Sequence, residues 1–165
     1  MAISVSHASP QTSLDVCAVS DEPVFDTHAL AQGAGMGSRG TSDEVFEAIA
    51  DTGGVIGLLS STHLPDIESY MEHFEYIVDL VGIEHVAFGP DVLYGDHTEL
   101  LRVLAASQGM ELPDSTLESA YVDGLENPTE AWINIPRWLV TNGYSDEEIR
   151  MVLGENVLRA LETVW

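Results

Sequence analysis

Three apolar runs in this sequence each end on a side chain that can bind a metal ion. The first ends on His7, the second is Pro23-Val-Phe-Asp-Thr-His28, and the third ends on Asp91. Neutral imidazole and carboxylate suit Zn²⁺ or a similar divalent ion, which lowers the pKa of a bound water to about 7. Taken singly, each histidine is more often structural than a ligand. Their shared placement favours a hydrolytic metal site, in which a carboxylate takes and returns the proton.

The elements that must position these side chains alternate between strands and helices. Apolar and β-branched runs predict strands, and stripes at helical spacing predict helices between them. This order predicts an α/β fold of about four βα units with parallel strands, followed by C-terminal helices. Active sites of such folds lie at the carboxyl ends of the strands. Because four units do not close an eight-stranded barrel, the alternatives are an open sheet or half a barrel. The predicted strands are residues 3–7, 24–27, 54–59 and 85–88.

Two sequence patterns predict helix starts, and one predicts a long loop. Thr41 with Glu44, and Ser145 with Glu148, have the spacing of capping boxes. Residues 109–128 are polar and rich in turn-forming residues, which predicts a long surface loop within a single domain spanning 1–165.

The remaining histidines are weaker candidates for the site. His63 and His97 follow strands three and four, on the correct face but without a strand to anchor them. His73 lies off the apolar stripe of its helix, which predicts exposure to solvent. His85 begins a strand, at the end that serves stability rather than chemistry.

Arg39 is the candidate for binding an anionic substrate group. Cations are scarce in this chain, and Arg39 lies just before a predicted helix start. A guanidinium there could bind a substrate carboxylate in a bidentate pair. An ion pair with Asp43 or Glu44 is an equal alternative.

Composition excludes several classes of function. The 165 residues carry a formal net charge of -23, with five cations against 28 acids. Binding nucleic acid needs a basic face, which this chain lacks. Salt screens the repulsion between the negative charges, which favours a halophilic source.

The single cysteine, Cys17, excludes an internal disulfide and a cysteine zinc site. Without a membrane-length apolar run or a signal-peptide pattern, we expect a cytoplasmic protein with no membrane partner.

The chain resembles the C-terminal half of the membrane dipeptidase (renal dipeptidase) family of zinc metallopeptidases. His7 and His28 are 21 residues apart, and Arg39 follows 11 residues later, as in that family. Seven segments of the chain match the family. No single one of them identifies the family, but together they cover nearly the whole chain. The matching segments are residues 4–9, 23–28, 38–43, 53–57, 81–91, 124–126 and 142–159.

The resemblance implies a partial TIM (β/α)8 barrel and a site that holds two zinc ions in the complete family. His7 and His28 would bind one of the two ions. Arg39 would hold the carboxylate of the substrate. Asp91 would contact the substrate and be the acidic residue at the metal centre that handles the proton. The implied reaction is hydrolysis of a dipeptide by metal-activated water.

The sequence departs from the family in ways that bear on activity. Pro90 and Gly40 stand where the family usually has serine and asparagine. The His-x-Asp pair, the bridging glutamate and a further histidine of the family's N-terminal half have no counterpart. We therefore expect at most one zinc ion in this chain, and a truncated enzyme. The alternative is a catalytically inactive half-barrel, an interaction or oligomerisation module that pairs with a second copy or with the missing N-terminal half.

Overall fold

Four short parallel strands form one open sheet at the centre of the protein. The computed structural model describes residues 1–60, 64–91, 97–113, 122, 124–125 and 131–165. The sheet has the order β1-β2-β3-β4, so each strand lies beside the next one in the chain. This order and the intervening helices confirm the predicted α/β fold of four βα units. The strands are β1 (Ile3–Ser4), β2 (Val24–Ala29), β3 (Val55–Leu58) and β4 (Val86–Phe88).

Helices connect the strands and continue after the last one. Short 3₁₀ or π turns at Gln32–Met36, Gly37–Arg39 and Met151–Glu155 link some of them. No helix in the described part of the chain is long and apolar enough to cross a membrane. The helices are α1 (Pro10–Val19), α2 (Asp43–Asp51), α3 (Ile67–Val81), α4 (His97–Ser107), α5 (Asn134–Thr141), α6 (Asp146–Arg150) and α7 (Asn156–Val164).

Both faces of the sheet are covered, as the apolar composition of β3 requires of a parallel strand. One face packs on α2 and α3 and forms the main core, in which Phe46, Ile56 and Phe74 are fully buried. On the other face a smaller cluster packs against α7. That cluster contains Phe25, Val55, Ala87 and Ala160.

Helix α7 also closes the N-terminal ends of β3 and β4. The buried Asn156 donates from Nδ2 to the carbonyls of Ile83 and Val86, at 2.8 Å each. Arg159 donates to the carbonyls of Gly53 and Glu84, at 3.2 and 2.8 Å. These bonds satisfy carbonyls of the segments that lead into β3 and β4.

One of the two predicted capping boxes is confirmed and the other is wrong. Ser145 accepts a bond from the backbone of Glu148, whose carboxylate accepts one from the backbone of Ser145. At α2 the N-cap is Ser42, and its side chain makes no capping bond. The hydroxyl of Thr41 donates instead to the carboxylate of Asp26, at 3.3 Å.

The expectation that His73 is exposed is wrong. His73 is only 4% exposed, and its Nδ1 has no hydrogen-bond partner among the described residues. Burial lowers the pKa of this imidazole, while the charge of Glu72 opposes the shift. Helical spacing misplaced His73 because the neighbouring elements also cover the flank of the stripe.

Most of the predicted loop 109–128, like His63 and the side chain of His97, lies outside the described residues. Val122 and Leu125, from within that segment, are buried in the main core. The extent of the loop stays a prediction.

Candidate functional site

A bulge at the end of β2 positions His28. The pairing of β2 with β3 shifts register between Asp26 and Ala29. The bulged backbone lies close to Gly57 of β3 and to Gly89, which follows β4, since a Cβ on either glycine would overlap the carbonyl oxygen of Thr27. Both glycines are therefore needed for the close approach that turns His28 toward the carboxyl end of the sheet.

His7 and His28 come together as a pair of imidazoles. Their Nε2 atoms are 2.9 Å apart and their ring centroids 4.8 Å apart, with the planes tilted by 60°. Two nitrogens bound to one tetrahedral zinc ion at about 2.0–2.1 Å would lie roughly 3.3 Å apart. The pair thus has nearly the spacing that two ligands of one ion require.

Asp91 lies beside this pair. Its Oδ2 is 3.9 Å from Nε2 of His28, and its side chain is 58% exposed. Among the described residues, Asp91 and His7 are the two non-glycine residues with left-handed backbones, at φ 52° and 63°. Such backbones cost energy and cluster at functional sites. β1 ends at Ser4, so His7 lies in the turn beyond the strand rather than on the predicted strand 3–7.

A buried carboxylate, which sequence reasoning missed, lies behind the histidines. Asp26 is 4% exposed and accepts hydrogen bonds from the hydroxyls of Ser6, at 2.7 Å, and Thr41, at 3.3 Å. Burial raises its pKa, while the bonds from Ser6 and Thr41 and the charge of His28 oppose that shift. The available signal was an acid directly after the apolar residues Val24 and Phe25.

A cavity of about 230 Å³ opens next to the histidine pair. Its lining includes His7, His28 and Asp26 together with Ser38 and Gly40. The backbone of Arg39 ends the 3₁₀ turn Gly37–Arg39 between these last two residues. The side chain of Arg39 lies outside what the structure describes.

The donor set fits a divalent metal ion in part. The two imidazoles supply two ligands with the correct chemistry and nearly the correct spacing. A catalytic zinc site normally has three protein ligands. Within the described ranges, no three or more histidine, cysteine or acidic side chains are grouped so that they could hold a metal ion.

Comparison with solved structures shows the fold of a larger barrel. An amidohydrolase from Pseudomonas aeruginosa superposes with a TM-score of 0.83 at 27% identity, over 100% of this chain and 53% of that one. A metallo peptidase from Rhodobacter sphaeroides, liganded with a phosphinate mimic of the dipeptide L-Ala-D-Ala, gives 0.76 at 21% identity, over 98% and 42%. These neighbours confirm the predicted partial TIM-barrel fold.

Sequence relatives and a family model agree with this fold. Dipeptidase verJ of Clonostachys rogersoniana is 26% identical over 99% of this chain and 37% of its own length. A protein encoded in the pqqA 5′ region of Klebsiella pneumoniae is 27% identical over 100% and 55%. The chain thus spans between about a third and about half of these relatives. The model of the family described as membrane dipeptidase (peptidase family M19) matches residues 1–101, and the chain therefore belongs to that family.

Proposed function

We propose that this chain provides part of the active site of a zinc-dependent hydrolase that cleaves dipeptides. The observation that carries the proposal is the convergence of His7 and His28, with Nε2 atoms 2.9 Å apart at the carboxyl ends of parallel strands. In barrels of this type that face holds the chemistry. The relatives named dipeptidase support a dipeptide as the substrate.

The side chains divide the work of the proposed site. His7 and His28 would hold one zinc ion through their Nε2 atoms. When bound, such an ion polarises a carbonyl and lowers the pKa of a bound water to about 7. Asp91 would contact the substrate and take and return a proton at Oδ2, since its carboxylate is exposed and 3.9 Å from His28.

Arg39 would bind the terminal carboxylate of the substrate. The support for this role is the position of its backbone, between Ser38 and Gly40 on the wall of the cavity that also contains the histidines. A bidentate guanidinium–carboxylate pair would orient the scissile bond toward the metal ligands.

Zinc titration at high salt, combined with assays of dipeptide hydrolysis, tests this proposal. We expect His7→Ala and His28→Ala each to weaken zinc binding by about 100-fold or more, because each removes a direct ligand. His85→Ala is the matched control. It removes an imidazole that contacts the carbonyl of Gly54, at 2.9 Å and at the opposite end of the sheet. Equal zinc affinity in all four proteins would contradict the proposed metal site.

The second candidate function, an inactive half-barrel that acts as an oligomerisation module, is favoured by the open sheet. β1 is an edge strand of two exposed residues, and β4 is the other edge. Leu158 and Trp165 expose apolar side chains on or next to α7, at 59% and 85%. Light scattering at high salt would support this function if the chain forms a stable oligomer without zinc binding or hydrolysis. A monomer that binds zinc and cleaves dipeptides would exclude it.

A further inference from the structure

A row of hydroxyl groups connects the buried carboxylate to the ring of His28. Ser6 Oγ lies 2.7 Å from Asp26 Oδ1, Thr27 Oγ1 lies 2.9 Å from Ser6 Oγ, and His28 Nδ1 lies 2.9 Å from Thr27 Oγ1. We propose that Asp26, Ser6 and Thr27 are positioning residues that hold His28 in the tautomer with hydrogen on Nδ1, leaving the lone pair of Nε2 free toward His7.

The direction of the row is set at Asp26. One carboxyl oxygen accepts from Ser6 and the other accepts from Thr41. Each of the two carboxyl oxygens thus has its own hydroxyl donor. The single hydroxyl hydrogen of Ser6 is therefore committed to Asp26.

The donor in the contact between Ser6 and Thr27 follows from counting the hydroxyl hydrogens. Ser6 Oγ also accepts from the backbone N–H of Thr27, at 2.8 Å. The 2.9 Å contact between Ser6 Oγ and Thr27 Oγ1 needs a hydrogen between the oxygens, and Ser6 has none left. Thr27 must supply it. Ser4 Oγ approaches Ser6 Oγ at 3.2 Å, a longer contact from an exposed side chain that does not remove this need.

The ring of His28 completes the row. Because the hydroxyl hydrogen of Thr27 points to Ser6, Thr27 Oγ1 can only accept at its 2.9 Å contact with Nδ1. Nδ1 therefore carries a hydrogen, and in the neutral imidazole Nε2 then carries the lone pair. A histidine that binds a metal through one nitrogen usually donates its other N–H to such a partner.

The same count assigns the hydrogen between the two histidines. With the lone pair on Nε2 of His28, the 2.9 Å contact is a hydrogen bond that Nε2–H of His7 donates. His28 is then prepared to bind a metal ion, whereas His7 has to move its hydrogen from Nε2 to Nδ1. This last step rests on the proposed function, but the tautomer of the metal-free protein does not.

Imidazole ¹⁵N chemical shifts of the metal-free protein at high salt and neutral pH test the tautomers directly. We expect a protonated Nδ1 and an unprotonated Nε2 in His28, and the reverse in His7. Thr27→Val keeps the β-branched shape and removes the hydroxyl, so it should abolish the preference in His28. Thr27→Ser should restore the preference, and Ser4→Ala should leave it unchanged. A His28 with hydrogen on Nε2, or a Thr27→Val protein with unchanged shifts, would overturn the inference.

Zinc titration of the same proteins separates this inference from the proposed function. We expect Thr27→Val to bind zinc about 10-fold more weakly than the wild type, and the His7 shifts to exchange between the two nitrogens on zinc addition. If the wild type shows the expected tautomers but binds no zinc, the hydroxyl row stands and the proposed function fails. Zinc affinity that is the same in Thr27→Val, Thr27→Ser and wild type would overturn the role of the row in metal binding.

Discussion

The two ends of the sheet differ in how their polar groups are satisfied. At the N-terminal ends of the strands, the 2% exposed Asn156 pairs with two carbonyls, and Arg159 pairs with two more. At the carboxyl ends, His7 and Asp91 have left-handed backbones, and the imidazoles of His7 and His28 line a cavity and contact each other rather than carbonyls. One end is closed by a helix, and the other is open.

This difference separates stability from chemistry along the strands. A left-handed backbone costs a non-glycine residue roughly 1–2 kcal/mol, and two such residues lie at the open end. The hydrogen bonds of α7 and the packing of its Ala160 stabilise the closed end. We therefore expect substitutions at the closed end to lower stability while leaving His7 and His28 in place. Some substitutions at the open end should instead change this pair of histidines without lowering stability.

The largest effect is expected from Asn156→Ala. The variant loses two hydrogen bonds of 2.8 Å and leaves the carbonyls of Ile83 and Val86 without this partner in the interior. We expect the free energy of unfolding to fall by about 2 kcal/mol, because two hydrogen bonds are lost while the carbonyl of Ile83 still accepts from the backbone N–H of Val86. Denaturant unfolding at high salt measures the loss. The folded variant should keep the zinc affinity of the wild type.

Asn142→Ala is the matched control for this substitution. Asn142 also donates from Nδ2 to a carbonyl, that of Trp138 at 2.9 Å, but it is exposed at the end of α5. Water can replace the lost bond, so the change should stay within about 0.5 kcal/mol. Equal losses of stability in the two variants would show that the buried hydrogen bonds of Asn156 stabilise the protein no more than the exposed one of Asn142.

A smaller effect is expected at His7, where a glycine variant should be more stable than the alanine variant. His7→Gly and His7→Ala both remove the imidazole, but glycine accepts the φ of 63° without strain. The glycine variant should therefore be more stable than the alanine variant by about 1 kcal/mol. Ala8→Gly, one residue further in the same turn, is the control and should be destabilising. If His7→Ala is the more stable of the two, the backbone strain assigned to the open end is wrong.

The sequence predicted the strands, their parallel order and the convergence of His7 and His28, because these follow from local signals. An apolar run followed by His28 or Asp91 places that side chain at the carboxyl end of a strand wherever the strand lies. Parallel neighbours then bring such ends together. The prediction that His7 and His28 come together depended only on both residues following strands at the carboxyl edge of the sheet. It did not depend on the exact residue at which β1 ends.

The sequence did not predict the hydrogen bonds to Asp26 beside the histidines, because their partners are distant in the chain. Thr41 and Ser42 are adjacent residues, and either could cap α2. Thr41 makes its bond to Asp26 instead, 15 residues away. Similarly, Ser6 meets Asp26 across 20 residues, which no local pattern indicates. Hydrogen bonds between residues so far apart in the chain depend on tertiary packing.

The smallest expected effect concerns His73, which is buried on α3 and lies at neither end of the sheet. Burial lowers the pKa of His73 in the folded protein below its ordinary value of 6.5. The unfolded chain then binds more protons than the folded one as the pH falls below 6.5, so acidification lowers stability. His73→Leu should remove this part of the pH dependence, as measured by denaturant unfolding from about pH 7.5 to 5.5, above the range in which carboxylates titrate.

Glu72→Gln provides the opposing variant. The charge of Glu72 raises the pKa of His73 against the larger effect of burial, so its removal should depress that pKa further. The loss of stability between pH 7.5 and 5.5 should then be steeper than in the wild type, whereas His73→Leu makes it shallower. A slope that is the same in all three proteins would show that the imidazole of His73 takes up its proton equally well in the folded and unfolded chain, and that the burial of its unpaired Nδ1 has no consequence for pH.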